Sequence, residues 1–369
     1  MQEFAAIYKH PGPFVTVYLD ATRATESGEH VVELRWRALR AALSDHGADA
    51  NDLTVLDRTI EEDREVGHAG LVLVATDGQV VFRDRLPHPP VRDEGTVAAL
   101  PKLMPYLAQR GPRTRYLSAA VDREGADIAA PSWLPGLTSV VTGSAGPVHM
   151  TSRNTWDERH FQRRVENAWA ANAREVADAV VSLAAEHAIE LVVVTGDPRA
   201  RALLVDQLQS GLREGAEVVS AEGGGRAEGT DRDELAATVD DAVMRHEWHK
   251  RREVLEHLQQ NLGRKRFGVA GLGPVLDALR AGAVDTLVIS DDPSSTLRAF
   301  IGPEAVQLGR TKDELTSIGV SDPSSDRLDS ALVRAVVGTG ANMVVTPNAH
   351  DYVADGVGAL LRYDEGTDA

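Results

Sequence analysis

Residues 267–290 read FGVAGLGPVLDALRAGAVDTLVIS. From Gly273 to Ala281 the pattern is helical, with Leu276 and Leu279 on one apolar face. Gly282 stands where a residue with left-handed backbone closes such a helix. Thr286-Leu-Val-Ile-Ser290 is then an apolar run of strand length, and Asp291-Asp292-Pro293 ends it. A helix feeding a buried strand is the repeating step of an α/β sandwich.

The alternation continues outward. Downstream, 328–338 reads as a helix, 343–346 as a strand and 356–363 as the last strand. Upstream, a charged helical stretch runs from Asp231 to about Gln260. Before it, Ile189 to Thr195 is a nearly continuous apolar strand of the kind buried on both faces of a sheet. Gly196-Asp197-Pro198-Arg199 turns that strand into a helix over 200–211. Val218-Val219 is a short further strand, and 221–230 is a flexible loop. Residues 116–122 and 127–130 read as strands around the turn 123–126.

Between these pieces lies TGSAGPVHMTSRN, residues 142–154, a polar loop broken by Gly and Pro. Thr155-Trp156-Asp157-Glu158 follows as a reciprocal capping box that opens a helix reaching Glu186. Phe161, Val165, Trp169, Ala173, Val176, Val180 and Ala184 give that helix one buried face. Arg159, Arg163, Asn167 and Arg174 lie opposite. At ~1.5 Å per residue it is roughly 45 Å long, a rigid mount for a partly basic loop. An ordinary surface loop before an ordinary amphipathic helix fits the same pattern.

Residues 1–112 form another α/β unit. Phe14 to Leu19 alternates as a strand after the breaker Pro11-Gly12-Pro13. Residues 31–43 and 53–65 read as helices. Strands 71–75 and 80–82 flank a turn at Asp77-Gly78. A further helix is expected over 97–109, with Pro101 and Pro105 inside it. Three domains result, at 1–112, 113–245 and 246–369.

Bulk numbers narrow the function classes. A chain of 369 residues exceeds what one core usually supports. No apolar run is long enough to span a bilayer. There is no signal-type h-region and no cysteine, which fits a reducing cytoplasm and removes thiolate chemistry. The net charge of −17 argues against a generic nucleic-acid or DNA binder. Even so, residues 245–266 hold seven Lys/Arg against three Glu. Arg251, Arg252, Arg264, Lys265 and Arg266 are therefore candidate partner contacts, or simply a solvated helix face.

Motifs for chemistry are incomplete. His246-Glu247-Trp248-His249 is one residue short of His-Glu-x-x-His, so no metal is expected there. Gly271-Leu272-Gly273 lacks the third glycine of the dinucleotide fingerprint, so no cofactor is expected. Asp122 and Glu124 are two carboxylates without a completing acid. Gly196-Asp197-Pro198-Arg199 fits a phosphate site at a strand end or a plain strand-to-helix turn. No complete catalytic set emerges.

The quoted stretch 267–290 resembles the C-terminal signature of the archaeo-eukaryotic release factor and Pelota family. Residues 355–363, DGVGALLRY, are similar to that family's closing strand. The layout of hairpin, exposed loop and long helix in the middle is also similar. The opening PGPFVTVYLD at 11–20 and the three-part layout most resemble the bacterial branch of the family, which has actinobacterial members and includes the hibernation factor Balon.

The resemblance implies an RNase H-like middle domain and a C-terminal α/β sandwich similar to the kink-turn-binding ribosomal-protein fold. It implies a tRNA-shaped, non-enzymatic factor in the A site of the 70S ribosome, with elongation factor Tu on the C-terminal side, serving hibernation or rescue under stress. In release factors the middle loop carries Gly-Gly-Gln. Here 149–161 reads HMTSRNTWDERHF, without it, and Gln162 lies inside the expected helix. Carried over by position, Arg153, Asn154, Trp156, Arg159, His160 and Arg163 are the ribosomal-RNA contacts. A peptidyl-tRNA hydrolase or nuclease working through the middle domain is the alternative, and a stress adaptor binding protein through 245–266 is the third.

Overall fold

The computed structural model describes the chain except residues 24–27, 65–66, 68, 112, 132, 135–136, 143, 145–156, 224–231, 348 and 364–369, and the side chains of 157–166. Two compact units result. Met1–Pro112 joins Glu253–Ala369 in the first, and Arg113–Arg252 forms the second.

The first part of the chain builds β1 (Phe14–Asp20), α1 (Gly28–Asp45), α2 (Ala50–Glu62), β2 (Gly70–Thr76), β3 (Gln79–Leu86), β4 (Glu94–Ala98) and α3 (Met104–Arg110). The sheet order is β3-β2-β1-β4, and every pairing is antiparallel. β2 is buried along its whole length because α1 and α2 cover one face and α3 and the third part of the chain cover the other. The helix expected over 97–109 is replaced. Val97 pairs with Val15 inside β4, and the helix starts only at Met104. Pro105 sits in its first turn, where no backbone donor is needed.

The middle unit holds β5 (Tyr116–Val121), β6 (Gly125–Ala129), β7 (Thr138–Thr142), α4 (Asp157–Glu186), β8 (Leu191–Gly196), α5 (Pro198–Gly211), β9 (Glu217–Ser220) and most of α6 (Arg232–Arg264). Its sheet runs β7-β6-β5-β8-β9, with an antiparallel β5-β6-β7 meander and parallel β5, β8 and β9. Residues Leu191 to Val194 of β8 are fully buried, because α4 and α5 lie on one face and α6 on the other. Ala173, Val176, Val180 and Ala184 of α4 are buried, as their spacing predicts.

The third part contributes the end of α6, then β10 (Gly268–Ala270), α7 (Leu272–Arg280), β11 (Val284–Ser290), β12 (Arg298–Ile301), β13 (Leu308–Gly309), α8 (Lys312–Ser317), β14 (Ser324–Arg327), α9 (Leu328–Thr339), β15 (Asn342–Thr346) and β16 (Val357–Leu361). The main sheet is β10-β16-β11-β15, with β11 inside it. Leu276 and Leu279 of α7 are buried, and Gly282 takes φ 67°. Its N–H and that of Ala283 close the helix on Leu279 and Ala278 carbonyls. A small sheet β13-β12-β14 with α8, not legible in the sequence, interrupts the alternation.

The first and third parts share one core. Phe4, Ile7, Leu103, Met104, Tyr106 and Leu107 cluster with residues of α7, β11 and α9, and α3 packs against α9 and β15. α6 is continuous across the expected boundary at 245/246 and across the division after Arg252. The fold is thus mixed α/β throughout, with several sheets and helices.

Candidate functional site

The mount of α4 is built at the β5–β6 turn. The Asp122 carboxylate accepts the N–H groups of Glu124 and Gly125 at 2.8 and 2.9 Å, which shapes the turn and projects Arg123. The Arg123 guanidinium lies 4.8 Å from the Trp169 ring centre on α4. Its Nε is 3.4 Å from Asp197. Its carbonyl accepts the buried Asn172 side-chain amide at 3.0 Å. One residue therefore ties the turn, the middle of α4 and the start of α5 together.

Asp197 caps α5. Its Oδ1 accepts the N–H groups of Arg199 and Ala200 at 2.9 and 3.1 Å. Burial pushes this carboxyl up, but those N–H groups and Arg123 outweigh it and hold it below the usual range. The donors a phosphate would need at this helix end are thus taken by the chain's own carboxylate, which makes Gly196–Arg199 a strand-to-helix turn. The start of α7 is occupied likewise, since the Leu272 N–H donates to Asp355 at 3.2 Å. Among the described residues no group of three or more His, Asp or Glu is placed to hold a metal. His246 Nδ1 lies 2.6 Å from Glu217.

The loop leaves from β7. Ser144 donates its N–H to Glu175 on α4 at 2.9 Å, and its hydroxyl donates to the other oxygen. These two bonds hold the Glu175 carboxyl below its ordinary value. Of the expected RNA contacts, Arg153, Asn154 and Trp156 lie outside the described residues. Arg159, His160 and Arg163 belong to the first turns of α4, whose side chains are also outside them.

The five expected partner contacts divide into two groups. Arg251 and Arg252 lie on α6 in the middle unit, and Arg264, Lys265 and Arg266 lie at its end in the first unit. Around the first group the basic run is largely compensated. Arg245 pairs with Asp241 at 2.8 Å, and Lys250 pairs with Glu190. Arg252 stacks 5.3 Å from the ring centre of the exposed Trp248. Glu247, whose carboxyl burial pushes up, is held by Thr114 and faces Arg251.

Sequence reasoning missed the Arg123–Trp169–Asn172 support. The helical period marks Trp169 as inward-facing, but nothing in the spacing names a turn residue 46 positions away as its partner.

A family model described as bacterial archaeo-eukaryotic release factor family 2 matches residues 115–264, from the residue before β5 to the last residue of α6. The chain is 30% identical over 355 residues to an uncharacterized Mycobacterium tuberculosis H37Rv protein, Rv2629, covering 95% of this chain and 94% of the relative. Among solved structures it is similar to the archaeal translation termination factor aRF1, at 16% identity over 98% of each chain with a TM-score of 0.24. It is similar to Saccharomyces cerevisiae Dom34, at 10% identity over 81% of this chain and 82% of that one, TM-score 0.41. It is also similar to ribosome-bound archaeal Pelota, at 15% identity over 98% and 94%, TM-score 0.40. With a relative matched along nearly its whole length and a family model over the segment that carries the loop and the long helix, the chain belongs to the bacterial archaeo-eukaryotic release factor family.

Proposed function

We propose that this protein is a ribosome-binding translation factor that occupies the A site of the 70S particle as a tRNA-shaped release-factor homologue. The observation that carries this reading is the family match over 115–264, the segment holding the loop base and α4. The middle loop reaches toward the peptidyl-transferase side, and Arg153, Asn154, Trp156, Arg159, His160 and Arg163 meet ribosomal RNA there. The Gly-Gly-Gln tripeptide of release factors is absent from 149–161, so the factor binds without driving peptide release. It serves hibernation or rescue, as in the Balon-like branch, with elongation factor Tu as the GTPase beside residues 246–369. The protein acts in the cytoplasm. Among the described residues no helix is long and apolar enough to cross a membrane. At net −17 the chain relies on shape and local Arg clusters and binds free RNA weakly.

Sedimentation of the purified protein with vacant 70S ribosomes through sucrose, at two salt concentrations and with or without elongation factor Tu, tests this. Co-sedimentation that weakens in the Arg153/Arg159/Arg163→Ala variant is the expected result. Failure to co-sediment at low salt, with and without the GTPase, overturns it. Peptidyl-tRNA hydrolysis on those ribosomes that Gln162→Ala abolishes would favour the enzymatic alternative instead.

A further inference from the structure

The sheet of the middle unit ends at β9, which has β8 on one side and no described strand on the other. Its parallel pairing with β8 decides which backbone groups are used. Glu217 donates its N–H to the Glu190 carbonyl, and Ala221 donates to that of Val194, both at 2.9 Å. Along a parallel strand alternate residues point their N–H and C=O groups to the same side. The groups of Val218 and Ser220 therefore point away from β8. An edge of this kind is a template for another extended chain, and proteins commonly blunt it with lysine or proline. β9 contains neither.

Beside this edge lies an open groove of about 410 Å³, lined by the end of α5, the turn 213–216 and the first half of β9. Its floor is apolar. Leu208 is fully buried, and Leu212 and Val218 are half-buried against the core that α4 and α5 share with the sheet. Its rim carries Gln209, Glu214 and Glu217, all exposed. Glu217 keeps one oxygen 2.6 Å from His246 Nδ1, yet its side chain is still 56% exposed. Arg213 also lines the groove, but its guanidinium is turned onto the carbonyls of Ala188 and Ile189 at 3.2 and 3.1 Å. Edge and groove meet at Val218, whose backbone groups face outward and whose side chain packs on the α5 side of the sheet. A strand added at Val218 would set alternate side chains over Leu208 and Leu212.

We propose that the edge of β9 and the adjoining groove bind an extended, basic segment of a partner protein by strand addition. The backbone groups of Val218 and Ser220 supply the pairing, and one apolar side chain of the segment enters the groove. Lysines or arginines on either side of it meet Glu214 and Glu217. Charge selects this occupant. Rim carboxylates on a chain of net −17 attract a cationic segment and repel the phosphates of RNA. A second copy does not supply such a segment from its main basic run, because residues 245–264 are helical in α6. The surface is separate from the middle loop and does not depend on the ribosome reading.

The test uses the full-length protein and a short fluorescein-labelled peptide of alternating lysine and valine, read by anisotropy. Two further probes leave the protein untouched: the same peptide N-methylated along one edge, and a version with glutamate in place of lysine. The basic peptide is expected to bind, and N-methylation to weaken it about fivefold or more, the scale of one or two hydrogen bonds. The acidic peptide should not bind. Val218→Pro removes an outward N–H and leaves the ladder to β8 in place, as proline does on edge strands. It should weaken binding about fivefold, with the thermal midpoint reporting that the variant is folded. If it is not, the N-methylated peptide decides. Glu214→Gln/Glu217→Gln should weaken binding about threefold and flatten its salt dependence. Equal affinity for the methylated and unmethylated peptides shows charge attraction without strand addition and overturns the inference. So does an acidic peptide that binds as tightly as the basic one. Single-stranded RNA that displaces the peptide assigns the groove to RNA and overturns it as well.

Discussion

The Asp326 carboxylate accepts the backbone N–H of Leu100 at 2.7 Å, across 226 residues of chain. Both residues are buried. The bond closes the contact between the first and third parts, where β14 passes into α9. Removing the acceptor leaves a buried N–H without a partner. Asp326→Ala is therefore expected to cost about 1–3 kcal/mol in urea unfolding. Asp326→Asn keeps an oxygen there and drops the buried charge, so it should stay within about 1 kcal/mol of wild type. Equal losses in the two variants would contradict this.

The same residue sets a pH dependence. Burial pushes the Asp326 carboxyl above its ordinary value, against the N–H groups of Arg327 and Leu100 and the charge of Arg298. Burial, with Asp329 and Asp292 nearby, does the same to Asp291. A raised carboxyl means the folded state binds more protons than the unfolded one between the two pKa values. Stability from these groups is thus greatest below the unfolded pKa and declines as pH rises through the folded one. Urea midpoints measured from pH 3.5 upward should show a shallower decline in Asp326→Asn. An unaltered profile would remove Asp326 from the account.

Much of this architecture is legible from periodicity, because β8, β11 and the buried faces of α4 and α7 are decided locally by apolar spacing. Gly282 illustrates this, since a closing glycine needs no distant partner. What is not legible depends on pairing. Val97 lies beside prolines that suggest a helix edge, yet β1 has an open flank and takes it as a strand. The β12–β14 sheet rests on short segments with little alternation. Of the site, the sequence names the loop and α6 as basic, but it cannot say that Arg245 and Lys250 are compensated. That depends on Asp241 and Glu190 arriving beside them.

Asp197 gives an opposite pH signature in the middle unit. Its carboxyl is held down by the N–H groups it caps, so its contribution is present above the unfolded pKa and lost as pH falls through the folded one. Asp197→Ala should cost about 1 kcal/mol at neutral pH, the usual worth of a cap, and the difference from wild type should shrink in acid. Gly196 precedes it at φ 105°, and a Cβ there would meet the Val121 carbonyl at 2.0 Å. Gly196→Ala should cost more, about 2 kcal/mol or above, since strain and overlap add. A Gly196→Ala protein as stable as wild type would show that this strand end is looser than the geometry states.

Arg123 is more than half exposed, so its stacking on Trp169 is worth only about 0.5–1 kcal/mol. Its larger role is positional, because it holds α4 to the turn and to α5. Arg123→Ala should lower stability by no more than ~1 kcal/mol while reducing ribosome association several-fold. Arg123→Lys keeps the charge but not the flat guanidinium, and should recover only part of that association. Full association in Arg123→Ala would mean the loop does not depend on this mount.

Leu107 of α3 is 5% exposed and lies in the core shared by the first and third parts. α3 packs against α9 and β15, so cutting its side chain opens a cavity on that common surface. Leu107→Ala should cost about 2–5 kcal/mol. Because the two parts form one compact unit and share the core that holds Leu107, the loss should be felt on both sides of it. Hydrogen exchange reads this directly. Amide protection of Val72 in β2 and of Leu287 in β11, both in that shared core, should fall by similar amounts, although 215 residues separate them. Val193 in β8 belongs to the other unit, with its own core, and its protection should change far less. If Val72 alone loses protection, the first and third parts open independently, and their shared core does not make them one cooperative unit.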